Sequence, residues 1–160
     1  MEYLRKICLI FFPIIISISG PSCYGGERQV AFGQSELFVL SAGHRYRFDV
    51  DVAATAPQHA RGVMFRKSMA ARKGMLFLFK ESRMITMWMK NTFMPLDMIF
   101  INSKGVIVHI AISTVPHSLD HISSMFPVNS VLEVNAGVTG RLNIKIGDKV
   151  EHPFFVSSPQ

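Results

Sequence analysis

The chain has 160 residues, of which 49% are hydrophobic and 18% are charged, and its formal net charge is +6. This composition excludes an intrinsically disordered chain, and the length fits a single domain. Because the two cysteines, Cys8 and Cys23, precede the predicted domain, the sequence excludes an intramolecular disulfide, a catalytic thiol and a cysteine-ligated metal site within it.

Residues 1–22 have the layout of a secretory signal peptide. A basic start precedes an apolar run over residues 7–18, and small residues follow that run. The run is shorter than the stretch of about 20 apolar residues that spans a bilayer. We therefore expect an exported protein, periplasmic or secreted, with a lipid anchor at Cys23 or an uncleaved signal anchor as the alternatives. A linker over residues 23–35 and a single domain over residues 36–156 are expected to follow.

Short apolar or alternating segments, separated by turn signals, indicate a mainly β domain. Residues 45–52 alternate strictly, with Tyr46 and Phe48 on one face and Arg45 and Arg47 on the other. The predicted strands cover residues 36–40, 45–52, 75–79, 84–89, 96–101, 105–113, 130–135 and 150–156.

Few helices are expected. Thr55 and Pro57 predict a short helix that ends near Phe65, and residues 136–142 predict a turn or a second short helix. The longest predicted loop covers residues 114–129. Together these elements predict a compact antiparallel β-sandwich or small barrel with one or two short helices.

Two neighbouring motifs near the middle of the chain are distinctive. Residues 88–92 read Trp-Met-Lys-Asn-Thr, and residues 95–97 read Pro-Leu-Asp. With residues 60–66, 74–77, 131–133, 136–137 and 146–148, they resemble, in order, the domain of unknown function 192 family. Val63, where a leucine is usual, and Met94 depart from the family pattern. The resemblance implies a compact, mainly β, sandwich-like fold that is often exported in bacteria, and it implies no agreed biochemical activity.

Basic residues are concentrated in one segment. Eight lysines and arginines lie between Arg61 and Lys90, and only Glu81 opposes them there. In an exported protein, this segment favours a small anionic or saccharide ligand or an anionic membrane surface, and nucleic acid is not expected. A solvated basic face without a ligand explains the same pattern.

Residues 88–97 combine groups that could form a binding site. A tryptophan ring suits stacking on a sugar, cationic side chains suit an anion, and the amide and hydroxyl suit hydrogen bonding. A structural role for the same residues, in the core and in turns, is the alternative. The predicted ligand-binding residues are Arg61, Trp88, Lys90, Asn91, Thr92 and Asp97.

Asp97 and Glu133 are the candidate paired carboxylates of a hydrolase or lyase, because glycoside hydrolysis needs two such groups about 5 to 9.5 Å apart. His117, Asp120 and His121 are candidate metal ligands in the longest predicted loop, with a solvated loop as the alternative. No cofactor is expected, since the sequence has neither a dinucleotide fingerprint nor a glycine-rich phosphate loop.

The sequence therefore leaves three functions open. It favours an exported binding or accessory module of the cell envelope with an anionic or saccharide ligand. The alternatives are a hydrolase or lyase of envelope saccharides and a structural or protein-partner module. Whether the protein is an enzyme stays undecided at this level.

Overall fold

The structure is a computed structural model that describes residues 30–156. The predicted signal peptide, Cys23 and the first part of the predicted linker lie outside the described residues. The elements in chain order are β1 (Gly33–Ser41), β2 (His44–Ala53), α1 (Ala56–Arg61), β3 (Lys73–Arg83), β4 (Thr86–Met87), β5 (Leu96–Ile101), β6 (Ile107–Ala111), β7 (Ile122–Ser123), β8 (Val128–Asn135), α2 (Val138–Arg141), β9 (Lys149–Glu151) and α3 (Pro153–Val156). The predicted mainly β class is confirmed.

Seven strands form one sheet in the order β6-β5-β8-β3-β2-β1-β9, and β4 pairs with β7 in a small second sheet. The large sheet curls into a half-barrel. Its two edges meet near β9, where Val150 N donates to Gly105 O at 2.7 Å and Ile107 N donates to Asp148 O at 2.9 Å. The fold thus approaches the small barrel that the sequence predicts.

Apolar side chains cover both faces of the central part of this sheet, around β3, β5 and β8. On β5, Ile99 and Ile101 belong to the cluster on the inner, concave face, whereas Met98 and Phe100 belong to a second cluster on the outer face. All six residues of β5 are buried. A strand that is covered on both sides needs no polar face, which explains why residues 96–101 do not alternate in the sequence.

Several predicted elements are found close to their expected places. β5 has the predicted bounds, and β2 extends the predicted strand by one residue at each end. Gln58 Oε1 accepts hydrogen bonds from Ala54 N at 2.9 Å and Thr55 N at 3.0 Å, so the predicted helix start at Thr55 is also found. No helix within residues 30–156 combines the length and the apolar character needed to cross a bilayer.

Other elements differ from the prediction. β1 begins at Gly33, so the last residues of the predicted linker lie in the sheet. The predicted strand over residues 84–89 is reduced to β4, and the long predicted loop contains β7, its partner. The predicted last strand ends at Glu151, because Pro153 cannot donate to a ladder and instead begins α3. There are therefore three short helices in the described chain rather than one or two.

The pairing of β2 with β3 is parallel, unlike every other strand pair in residues 30–156. Parallel neighbours need a crossover, and residues 54–72, which include α1, provide it. This crossover carries Val63 onto the outer face of the sheet, where Ile85 and Met89 also pack. The space between the crossover and the segment after β3 forms a cavity.

Candidate functional site

A cavity of about 400 Å³ lies on the outer face of the sheet, between α1 with its following turn and the segment that begins near Arg83. This volume is typical of pockets for small molecules. Its lining combines aromatic rings, methionines, cations and one carboxyl group. The lining residues are His59, Ala60, Arg61, Gly62, Val63, Met64, Phe77, Phe79, Arg83, Met84, Ile85, Thr86, Met87, Trp88, Lys90, Thr92 and Glu133.

Three cationic side chains of this lining lie against aromatic rings. A cation over a ring face is attracted by the electrons of the ring, which restrains a side chain that would otherwise move freely. The pairs are Arg61 Cζ at 4.7 Å from the centre of the Phe65 ring, Arg83 Cζ at 5.6 Å from that of Phe79, and Lys90 Nζ at 5.4 Å from that of Trp88. The cavity is thus bordered by oriented positive charge.

Glu133 contributes the one carboxyl group among the described lining residues. It stands on β8 between Met75 of β3 and Met98 of β5, both fully buried, and is itself only 3% exposed. Its Oε2 atom has no hydrogen-bond partner within residues 30–156. Burial raises the pKa of Glu133 to about 8, although the positive charge of Arg66 lowers it in part. The carboxyl group is therefore mainly protonated, and neutral, at pH 7.

Arg66, which lowers the pKa of Glu133 in part, is itself paired with Asp51. Its Nη1 atom donates to Asp51 Oδ2 at 2.7 Å. Asp51 pairs with Met75 across β2 and β3, two strands from Glu133. The guanidinium charge is thus shared with an aspartate, which explains why burial dominates the pKa of Glu133.

His59 holds α1 against the sheet at the side of the cavity. Its Nε2 atom lies 3.1 Å from Ala53 O and 3.0 Å from Leu78 O. Both oxygens can only accept, so Nε2 carries the hydrogen. The imidazole also packs against the Phe79 ring, with 4.6 Å between ring centres. His59 therefore fixes the wall that Arg61 and Phe79 share.

Gly62 ends α1 and lies in the cavity wall. Its φ of 46° is in a region that side chains disfavour, and an added Cβ would lie 3.0 Å from Phe77 Cζ. We expect Gly62→Ala to lower the free energy of unfolding by about 1 to 3 kcal/mol. The same change should lower the affinity of the cavity for a ligand. Gly43→Ala is the matched control, because Gly43 also has a positive φ but nothing within 4 Å of an added Cβ. Urea denaturation of both variants measures the difference, and equal losses would contradict the steric role of Gly62.

Four of the six predicted ligand-binding residues line the cavity: Arg61, Trp88, Lys90 and Thr92. Trp88 is 47% exposed, so part of its ring is accessible. Thr92 is buried, and its Oγ1 donates to Lys90 O at 3.3 Å, which supports the turn that carries Lys90. The structure thus brings the predicted cations and the predicted aromatic ring together.

Asn91 is not part of the lining. It adopts a left-handed φ of 53°, and its carbonyl oxygen accepts a hydrogen bond from Phe65 N at 2.9 Å. Its Nδ2 atom lies 4.0 Å from Met64 Sδ. An asparagine tolerates this backbone conformation, so Asn91 connects the turn to the crossover rather than pointing into the cavity.

Asp97 is also separate from the cavity. It is fully buried, and its Oδ2 accepts hydrogen bonds from Thr139 N at 3.0 Å and from Thr139 Oγ1 at 2.7 Å. Its Oδ1 accepts a third from Ser113 N at 2.9 Å. These contacts tie β5 to the start of α2 and to the end of β6.

The structure does not bring the predicted carboxylate pair together. In the β5–β8 ladder Asp97 stands opposite Val134, and Met98 stands opposite Glu133. Because paired residues share a face and neighbours alternate, Asp97 points to the inner face and Glu133 to the outer face. Two carboxyl groups on opposite faces of one sheet cannot act on the same bond, so the paired-carboxylate mechanism has no geometric basis here.

The candidate metal ligands do not converge either. The His117 ring packs on Phe93, with 5.2 Å between ring centres, and Asp120 accepts a hydrogen bond from Ser118 Oγ at 2.9 Å. His121 is exposed. Residues 30–156 contain no group of three or more His, Cys, Asp or Glu side chains placed to hold a metal ion.

Sequence reasoning named Glu133 only as one of a catalytic pair with Asp97, counted Arg83 only as part of the basic segment, and did not name His59 as a site residue. A signal for Glu133 was present, because a carboxylate within the apolar strand of residues 131–134 must be buried. Arg83 gave no comparable signal, since its place depends on β3 continuing to that residue. The role of His59 depends on two backbone carbonyl groups, which no sequence pattern reveals.

Two solved structures are similar to this chain. The chain is 43% identical to a protein from Sinorhizobium meliloti 1021 described as a proposed transcription regulator, with a TM-score of 0.75 and with 77% of this chain and 96% of that chain covered. It is 37% identical to a protein of unknown function from Novosphingobium aromaticivorans DSM 12444, with a TM-score of 0.73 and with 74% and 85% covered. No curated protein matches the chain.

The family comparison agrees with the motifs in the sequence. Residues 38–152 match the model of the family DUF192, described as an uncharacterized ACR. This range contains every strand except the first part of β1, together with the whole cavity lining. The chain therefore belongs to the domain of unknown function 192 family.

Proposed function

We propose that this protein is a binding module of the cell envelope whose cavity holds a small acidic saccharide. The observation that carries the proposal is the lining itself: three oriented cations and an accessible tryptophan ring surround a cavity of about 400 Å³. The proposal covers binding alone, since Glu133 is the one carboxyl group among the lining residues within 30–156.

The charge of the lining supports an anionic ligand. Arg61, Arg83 and Lys90 are positive at pH 7, and Glu133 is mainly neutral there because its pKa is about 8. The described lining therefore carries no negative charge that would oppose an anion. A carboxylate or phosphate between the three cations would form charge-assisted hydrogen bonds.

The apolar part of the lining supports a ring-shaped ligand. Trp88 is about half exposed and offers a face on which the C–H groups of a sugar ring can stack. Met64, Met84 and Met87 form adaptable apolar walls nearby. A uronic acid combines the two requirements, because it has a sugar ring and a carboxylate.

The first test uses Trp88, the only tryptophan, as a fluorescence reporter. D-Glucuronate is expected to produce a saturable change, and D-glucose, which lacks the carboxylate, a much weaker one. Lys90→Gln is expected to reduce glucuronate affinity about fivefold, since it removes one partly screened charge contact. Lys104→Gln is the matched control, because Lys104 lies in the exposed turn between β5 and β6.

Two results would contradict the proposed ligand. If glucuronate and glucose bind equally, the cations do not select the ligand. If the Lys104→Gln variant loses as much affinity as the Lys90→Gln variant, the effect is that of overall charge. A fluorescence spectrum that no saccharide changes would favour a structural or protein-partner module.

One similar protein is described as a transcription regulator, which suggests duplex DNA as another candidate ligand. The three described helices have only 6, 4 and 4 residues. A recognition helix that enters the major groove is longer, so these helices do not provide one. A random DNA duplex in the same titration tests this alternative directly.

The location in the cell envelope is part of the proposal and depends on residues 1–22. Their basic start, apolar run and small residues form the pattern of a secretory signal. Fractionation of cells that produce the full chain is expected to recover it outside the cytoplasm. A shift of the chain to the cytoplasm on replacing residues 7–18 with polar residues would support export by this segment.

A further inference from the structure

We propose that Glu133 is itself a ligand-binding group, which donates a hydrogen bond at the inner end of the cavity to a neutral oxygen of the ligand. This inference rests on the proposed function and makes it more specific. The ligand would carry its anionic group toward the cations at the border and a hydroxyl, carbonyl or ring oxygen toward β8.

The geometry of Glu133 supports this role. Its side chain is 3% exposed and lines the cavity, yet Oε2 has no hydrogen-bond partner in the described part of the chain. The neighbours in register, Met75 and Met98, offer no strong polar group. A buried polar atom without a partner costs free energy, so a ligand that supplies the partner gains affinity.

The surroundings of Glu133 favour its protonated form, which can donate a hydrogen bond. Burial keeps its pKa near 8, so the carboxyl group carries a proton at pH 7. The nearest elements contribute no second carboxylate that lines the cavity. The charged and titratable groups around it are Arg66 with its partner Asp51, His59 and Arg61 of α1, and Arg83 and Lys90 after β3.

The charge state of Glu133 makes binding depend on pH. Above its pKa the carboxyl group loses the hydrogen that it donates and gains a negative charge that repels an anionic ligand. Affinity should therefore fall as pH rises through about 8, and the loss should come from Glu133 rather than from the cations.

The experiment is a glucuronate titration at pH 7.0 and pH 9.5, followed by Trp88 fluorescence. If only the protonated form binds, a pKa of about 8 gives the wild-type protein an affinity about thirtyfold lower at pH 9.5. Glu133→Gln keeps the shape and a donor N–H at every pH, so its affinity should change less than about threefold between the two pH values. Lys90→Gln should bind more weakly at both values and keep the thirtyfold ratio.

A measurement on the wild-type protein tests the same role without requiring that Glu133→Gln fold. Because the ligand prefers the protonated form, saturating glucuronate should raise the pKa of Glu133, as followed by the ¹³C shift of its carboxyl carbon. An unchanged pKa with bound glucuronate, or equal wild-type affinity at both pH values, would overturn the role of Glu133 and leave the proposed function intact. Absence of glucuronate binding at either pH would overturn both.

Discussion

Raising the pH from 5 to 8 should lower the free energy of unfolding by about 3 to 4 kcal/mol through Glu133 alone. The folded-state pKa of about 8 lies above the value of 4.5 for an unburied glutamate. Between these values the folded chain holds a proton that the unfolded chain has released. Stability is therefore greatest below pH 4.5 as far as this group is concerned, and it declines by about 1.4 kcal/mol per pH unit up to about 8.

The measurement is urea denaturation of the wild-type protein and of Glu133→Gln at several pH values between 5 and 8. The variant has no carboxyl group to ionise, so the stability difference between the two proteins should grow with pH in favour of the variant. Glu36→Gln, on the exposed face of β1, should follow the wild-type protein. Parallel pH curves for wild type and Glu133→Gln would show that Glu133 is not buried as a neutral acid.

His152 changes the free energy of unfolding with pH in the opposite direction. The wild-type protein must therefore be compared with Glu133→Gln at each pH. Burial lowers the pKa of His152 from 6.5. Below pH 6.5 the unfolded chain binds a proton that the folded chain resists, so this group lowers stability as the pH falls. Because His152 is present in both proteins, its contribution cancels in the comparison.

The second large effect is expected at Asp97. Replacing Asp97 with alanine leaves Ser113 N, Thr139 N and Thr139 Oγ1 without their acceptor, and the two Thr139 donors are buried. Hydrogen bonds to a charged acceptor are strong, and the buried donors would lose hydration as well, so we expect a loss of about 3 to 5 kcal/mol in unfolding free energy. Asp97→Asn, which keeps one acceptor oxygen, should lose less. Thermal and urea denaturation measure both.

Asp120→Ala is the control for Asp97. Asp120 is exposed, and its hydrogen bonds within residues 30–156 are to Ser118, two residues earlier, so its removal should change stability by less than about 0.5 kcal/mol. An Asp97→Ala protein that is as stable as the wild type but no longer binds glucuronate would contradict the structural role. It would restore Asp97 to the ligand site that the sequence predicts.

The sequence predicts the strands that have a clear pattern. β2 alternates, and residues 96–101 are apolar apart from Asp97, with a proline before and an asparagine after, so both strands are placed well. The parallel β2–β3 pair and the long β3 were not predicted, because strand order depends on contacts between distant residues. The end of β9 at Glu151, in contrast, is determined by the local sequence, because Pro153 favours the start of a helix.

The site was predicted in part for similar reasons. Arg61, Trp88 and Lys90 belong to one basic segment, and the cavity brings them together. Asp97 and Glu133 were treated as a pair because both are carboxylates, but a difference of one position in ladder register turns them to opposite faces. Register is a property of two strands, so neither local sequence could reveal it.

The seam between the two edges of the curled sheet has a consequence for how the chain folds. β9 pairs with β1, since Val39 faces Val150, and Lys149 also faces Val106. The last strand thus joins the β1 edge of the half-barrel to the segment that leads into β6. Until residues 149–151 dock on β1, the N-terminal hairpin has an unpaired edge. A chain truncated before Lys149 should expose two edges and aggregate.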